Sequence, residues 1–246
     1  MAKAPQAEQL RLLDLQAHDS KLNQLQRQAA AVKANPELTV LAGQVAAADS
    51  ELVAAATTLG DAERELKRAE DDVQAVVTRL ERDEQRLNSG TGSSKDLTAL
   101  QSEVASLTRR RSDLEDIELE VMERVESARA TRDEAQKRSE SVRLELRELE
   151  EARDAELARI DAERAEVQAE RDHLAASFEP ALLTIYERTL AKRGVGAARL
   201  FHGRSEGSGM QLSPGDLADI SRAADDDVVF CPDSGCILVR SAEWGS

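Results

Sequence analysis

LTVLAGQVAAADSELVAAATTLGDAERELKRAEDDVQAVVTRLERDEQRL, residues 38–87, is the stretch that decides the fold. Leu38, Val45, Leu52, Leu59, Leu66, Val73, Leu80 and Leu87 recur in it at an unbroken seven-residue interval. An apolar repeat of seven commits a helix to a left-handed supercoil against a partner helix. The companion heptad positions are Leu41, Ala48, Ala55, Ala62, Ala69 and Val76. So many small side chains predict close approach of that partner, near the lower end of the roughly 8–10 Å range of helix separations.

Upstream, Leu15, Leu22, Leu25, Ala29 and Val32 follow the same three-and-four spacing, with His18 filling one seam site, and predict a first helix over about residues 5–34. Asn35-Pro36-Glu37 then places a capping residue, a proline for the first helical position and an acid at the positive end of the dipole, so a second helix begins there. Downstream the repeat breaks at Asn88-Ser-Gly-Thr-Gly-Ser-Ser94. Gly90 and Gly92 permit positive φ, and Ser93 with Asp96 has the spacing of a capping box.

A third helix follows on one heptad register, from Leu97, Leu100, Val104, Leu107 and Leu114 to Ile160, Val167 and Leu174, with Arg111, Glu118 and Arg132 interrupting the seam. At 1.5 Å per residue the outward limb spans roughly 120 Å and the return limb roughly 115 Å. The balance predicts an intramolecular antiparallel coiled-coil hairpin over residues 1–178 with its tip near 88–96. A parallel homodimer of opened chains is the alternative.

Charged residues make up 33% of the chain and aromatic ones 2%, which excludes a thick globular core over most of the length. The net charge of -15 argues against wrapping duplex nucleic acid along the whole surface. The N-terminus carries no apolar leader and no eighteen-residue apolar run is evident, so a soluble cytoplasmic protein is expected. The abundance of Arg and Ala suggests a bacterial chain of high genomic GC content. Three scattered histidines, His18, His173 and His202, form no catalytic constellation with a nucleophile, and no phosphate-cradling loop is present. Neither enzyme activity nor a small-molecule substrate is expected.

Residues 179–246 read differently. Glu179-Pro180 restarts the chain in a short helix carrying Leu182, Leu183, Tyr186 and Leu190, which Gly194 terminates. Ser213-Pro214 opens another, with Leu217 and Ile220. Val228-Val-Phe230 and Ile237-Leu-Val239 predict two strands flanking the turn Cys231-Pro-Asp-Ser-Gly-Cys236. Ser205-Glu-Gly-Ser208 and Cys231-Pro-Asp-Ser234 have the spacing of two zinc knuckles 22 residues apart, with one thiol among their four ends. The fold class is mainly α, with a small C-terminal α+β module.

The chain resembles the bacterial coiled-coil-hairpin proteins that end in a four-cysteine zinc ribbon. Gly92-Ser-Ser-Lys-Asp-Leu-Thr-Ala-Leu-Gln101 is similar to the family's tip motif, and Leu182-Leu-Thr-Ile-Tyr-Glu-Arg188 and Ile237-Leu-Val-Arg240 to its bridging helix and last strand. The resemblance implies zinc thiolates at positions 205, 208, 231 and 234, where this chain has Ser205, Ser208, Cys231 and Ser234. A serine hydroxyl stays protonated at neutral pH and is a poor zinc ligand. Cys231, Cys236 and His202 form an alternative donor set. The preferred reading is a degenerate, cysteine-poor ribbon held by Leu200, Phe201, Leu212, Leu217, Ile220, Phe230 and Val239.

Two functions follow as expectations. One is a protein-interaction adaptor or scaffold with an unidentified protein partner; the resemblance supports it, because relatives are linked to flagellar or type III secretion regulation and to an alternative sigma factor. The other is RNA or DNA binding by the C-terminal module through Lys192, Arg193, Arg199 and Arg204 beside His202. Asp225-Asp-Asp227 and the scarcity of aromatic residues weigh against it.

Overall fold

The computed structural model describes residues 3–241 and 244. Its elements are α1 (Gln6–Lys33), α2 (Pro36–Asn88), α3 (Ser94–Ala175), α4 (Pro180–Arg193), β1 (Ala197–Phe201), β2 (Arg204–Ser205), α5 (Pro214–Arg222), β3 (Val229–Phe230) and β4 (Ile237–Arg240). They form two compact units, one of Pro36–Glu151 and one that joins Met1–Asn35 to Ala152–Ser246. The boundary placed at residue 178 from the sequence therefore falls inside the second unit. The cause is a shared core: Leu12 and Leu15 of α1 are buried with Leu182, Tyr186, Ile237 and Val239.

The first unit is an antiparallel helical hairpin. Ala48, Ala55, Leu59, Ala69 and Leu80 of α2 are buried, as are Leu107, Leu114, Val121 and Val125 of α3. Cross-limb ion pairs fix the direction, Arg79 with Glu103 at 2.6 Å, Arg124 with Glu65 at 2.7 Å and Arg143 with Asp49 at 2.7 Å, the α2 partner falling in number as the α3 partner rises. These pairs are exposed and screened by solvent, so the direction is held mainly by the seam.

At the tip Gly90 and Gly92 adopt φ of 64° and 142°. Asp96 N donates to Ser93 Oγ at 3.3 Å while Ser93 N donates to Asp96 Oδ2 at 3.1 Å, which closes the expected capping box. Glu118 and Arg132 lie half-buried in the seam, but Arg111 does not. Its guanidinium turns out to solvent and pairs with Glu115 one turn on, at 2.7 Å. One eighteen-residue window in Gln6–Asn88 reaches a mean hydropathy of 1.2, although no apolar run of that length was evident in the sequence; an alanine-rich seam produces such a value without being a continuous apolar run.

The second unit is built around a four-stranded sheet of order β2-β1-β4-β3. β1 and β4 are parallel, with Ala197 opposite Ile237 and Leu200 opposite Arg240, and the outer strands are antiparallel to their neighbours. Side-chain alternation splits the interior in two. Ala197, Ile237 and Val239 pack with Leu12, Leu15, Phe178, Leu182 and Tyr186. Ala198, Leu200 and Leu238 pack on the other face with Leu212, Ile220, Cys231 and Cys236. β1 and β2 escaped the sequence reading, because Gly-flanked AARLF carries no clean period-two pattern. Phe230, assigned to the ribbon core, is 47% exposed, while its neighbour Val228 is 2% exposed.

Candidate functional site

The four knuckle positions converge. Ser205 lies on β2, buried completely, and Ser208 in the turn that follows. Cys231 follows β3 directly and Ser234 lies in the tight turn before β4. Cys231 Sγ stands 4.0 Å from Ser208 Oγ and accepts from Ser234 N at 3.5 Å. Ser205 lies beside the same sulfur, yet its hydroxyl is buried without a hydrogen bond of good geometry. An orphaned buried hydroxyl costs about 1–3 kcal/mol. Burial alone would push the Cys231 thiol up, but the Ser205 and Ser234 hydroxyls and the amides of Ser234 and Asp233 outweigh it and hold the thiol below its ordinary range.

Cys236 joins this cluster from β4's leading edge. Its backbone carbonyl accepts from Cys231 N at 2.8 Å, and its sulfur lies 3.1 Å from Ser234 Oγ. Burial pushes the Cys236 thiol up, away from the thiolate form. Gly207 makes room for it, since a Cβ there would stand 2.7 Å from Cys236 Sγ and 2.9 Å from Ala198 Cβ. His202 sits instead at the β1–β2 turn with φ 48°, its ring 4.0 Å from that of Phe201. The structure thus brings together the two thiols but not His202, and among the described residues no group of three His, Cys, Asp or Glu is placed to hold a metal ion.

This donor set does not fit zinc. Structural zinc takes four thiolate, imidazole or carboxylate donors. Here three neutral hydroxyls surround one thiol, and the other thiol, Cys236, is one whose burial disfavours ionisation.

The basic residues considered for nucleic acid are dispersed. Lys192 and Arg193 end α4. Arg199 on β1 pairs with Glu206 at 2.7 Å and lies over the Phe201 ring at 4.8 Å, and Arg204 donates to the Gly209 carbonyl at 2.7 Å. Arg193 packs along the Gly235 turn, within 2.9 Å of where a Cβ on Gly235 would stand. Two of the four cations are thus engaged within the module itself.

A groove of about 330 Å³ opens between α5 and β3, lined by Ile220, Ala223, Val228, Val229, Phe230 and Pro232, with Asp216 and Asp219 on its α5 side. α5 is placed by its own signals: Ser213 Oγ accepts from Asp216 N at 3.1 Å, with Pro214 in the first turn. Residues 214–240 carry six aspartates against two arginines. One of those arginines, Arg240, is buried and donates to the carbonyls of Ala223, Ala224, Asp225 and Asp227 at 2.6–3.1 Å. It holds the loop between α5 and β3, while Asp219 pairs with Arg222 and Asp226 with Lys3 at 2.9 Å.

A polar cluster that the sequence did not signal fastens α1 to the rest of this unit. Tyr186 OH donates to Asp19 Oδ2 at 2.6 Å, and Arg171 Nε to Asp19 Oδ1 at 3.2 Å, with Glu187 on the other side of the same guanidinium. Burial, and then the bond to Asp19, push the Tyr186 phenol well above its ordinary range. Gln16 Oε1 accepts from Gly196 N at 2.7 Å and Ala197 N at 3.2 Å. Gln16 and Asp19 each lie one position past the seam residues Leu15 and His18, so the heptad reading passes over them, and their partners lie more than 150 residues away.

Residues 15–194 match the CT398-like coiled coil hairpin domain and residues 204–238 the C4-type zinc ribbon domain. "Uncharacterized protein Rv2229c" of Mycobacterium tuberculosis is 35% identical over 238 residues, 97% of each chain. "Uncharacterized protein ML1638" of Mycobacterium leprae is 32% identical over 190 residues, 77% of this chain and 82% of that one. A solved structure from Mycobacterium smegmatis is 33% identical, with a TM-score of 0.81 over 97% of this chain and 100% of the other. CT398 from Chlamydia trachomatis shares the fold, with a TM-score of 0.60 and 17% identity over 96% of this chain and 98% of that one.

Proposed function

This chain belongs to the CT398-like coiled-coil hairpin family, and from that membership we propose that it is a non-enzymatic, cytoplasmic interaction scaffold whose C-terminal module docks a basic segment of a protein partner in the α5–β3 groove. A hairpin with a ribbon domain suits a structural or interaction role. The observation that carries the finer reading is Phe230. The chain has one Trp, one Tyr and three Phe, and Phe230 is 47% exposed at an apolar groove, whereas Phe178 and Tyr186 are buried. Exposed aromatics beside a concave apolar surface serve as anchors in protein interfaces. Asp216 and Asp219 on the α5 side of the groove, the latter shared with Arg222, favour a segment carrying Lys or Arg beside its apolar anchor.

Nucleic-acid binding receives less support, because phosphate contact needs clustered free cations and Arg199 and Arg204 already have partners within the module. Selection of short random peptides displayed on phage against the full chain, with counter-selection on the Phe230→Ser chain, tests the docking reading. The expected winners carry Lys or Arg next to an apolar residue and lose binding to Phe230→Ser. Peptides that bind both chains equally would remove the groove from the scaffold reading, and binding of RNA that is lost on replacing Lys192 and Arg193 would replace that reading.

A further inference from the structure

We infer that the ribbon of this chain folds without zinc, its sheet held by packing on both faces and by hydrogen bonds that α1 and Arg240 make to the start of β1 and to the loop before β3. The inference is independent of which partner the groove takes.

Chemistry supplies the first half. A four-ligand ribbon of this size is held by the ion because its own core is too small. In this chain one knuckle offers two hydroxyls, Ser205 and Ser208, and the other one thiol and one hydroxyl, Cys231 and Ser234. Hydroxyls do not ionise near neutral pH, so three of four positions lack the charge that makes zinc binding favourable. Ser205 Oγ is buried beside Cys231 Sγ without a hydrogen bond of good geometry, a neutral hydroxyl at one of the four knuckle positions.

Packing supplies the second half, since the sheet is sandwiched on both faces and all four residues of β4 are buried. Contacts from the N-terminal residues reach the start of β1 and the loop before β3. Gln16 of α1 caps the amides of Gly196 and Ala197 at the start of β1. Gln9 Nε2 donates to the Asp225 carbonyl at 3.2 Å, and Ala4 N donates to the Asp226 carbonyl at 2.7 Å. Arg240 gathers four carbonyls of the same loop. A loop and a strand tied in this way do not require a metal to bring the knuckles together.

The scaffold has nonetheless kept the spacing. Thiolates bound 2.3 Å from a tetrahedral zinc stand about 3.8 Å apart. Cys231 Sγ is 4.0 Å from Ser208 Oγ, and Ser205 and Ser234 both lie against that same sulfur. Converting the three hydroxyls to thiols should therefore create a zinc site where none operates.

The test uses the full chain, incubated with zinc sulfate and gel-filtered, with zinc counted by plasma mass spectrometry and melting followed with and without EDTA. The wild type is expected to retain far less than one zinc per chain and to melt at the same temperature in both conditions. The Ser205→Cys/Ser208→Cys/Ser234→Cys variant is expected to retain one zinc and to melt lower with EDTA. One zinc per wild-type chain, or a wild-type melting temperature that EDTA lowers, overturns the inference, and both readouts stand even if the triple variant fails to fold. Gln16→Ala probes the role of α1: hydrogen exchange at Gly196 and Ala197 should speed up about tenfold, and unchanged exchange would show that α1 does not hold the ribbon.

Discussion

The hairpin of residues 36–151 and the unit that contains the ribbon bury their interiors in opposite ways. In the hairpin, one short contact recurs every heptad, made of Ala or Leu on α2 and of Leu or Val on α3. Each repeat contributes a little and resembles the next. In the other unit, α1, α3, α4 and the sheet each deliver a few large side chains to one core, and a buried Asp-Arg-Tyr cluster lies among them. Burial spread over a repeat tolerates loss at one position; burial assembled from single residues does not.

The largest test of that contrast is Asp19→Ala. It removes the shorter acceptor of the Tyr186 hydroxyl, leaving Gln16 Oε1 at 3.4 Å, and frees half of the partly buried Arg171 guanidinium, and should destabilise the chain by about 3 kcal/mol, at the lower end for a broken buried pair because Glu187 and Gln16 remain. Urea unfolding followed by circular dichroism reads it. In the hairpin, Ala48→Leu forces extra volume into a buried position of the seam and should cost about 2 kcal/mol in the same measurement. A loss equal to that of Asp19→Ala would mean that the repeat does not share its load.

Ser139→Ala sharpens the comparison from the other side. Ser139 is 3% exposed and donates to Asp49 at 2.7 Å, a polar contact inside the repeat, and its loss should cost about 1.5 kcal/mol. The smallest effect is one of pH. The Tyr186 phenol is raised in the folded chain, so the folded state holds its proton where the unfolded state has released it. Stability from this group is complete below the unfolded value of about 10 and falls by about 1.4 kcal/mol per pH unit above it. Tyr186→Phe should lack that slope, and urea midpoints measured from pH 9 to 11 compare the two.

Much of the fold was readable because it depends on local rules. The seven-residue repeat of α2, the Asn35-Pro36 restart, the glycine tip and the Gly194 stop are each decided within a few residues by side-chain size, φ or missing amides. The candidate site was readable only in outline. Knuckle spacing located Ser205, Ser208, Cys231 and Ser234, but it could not show that Cys236 shares Ser234 with Cys231 or that His202 turns to the far end of the sheet. Nor did a short apolar strand reveal that Phe230 points outward, since β3 is two residues long and period-two alternation needs more to be seen.

By itself, then, the sequence determined the helices, their seams and the absence of three thiolates, because periodicity and side-chain chemistry are written one residue at a time. Only the tertiary structure decided that α1 belongs with the C-terminal module, that Gln16 and Asp19 find their partners there, and that a groove opens beside Phe230. Those outcomes depend on residues separated by most of the chain, whose meeting is settled by the packing of whole elements and by no pattern within any one of them.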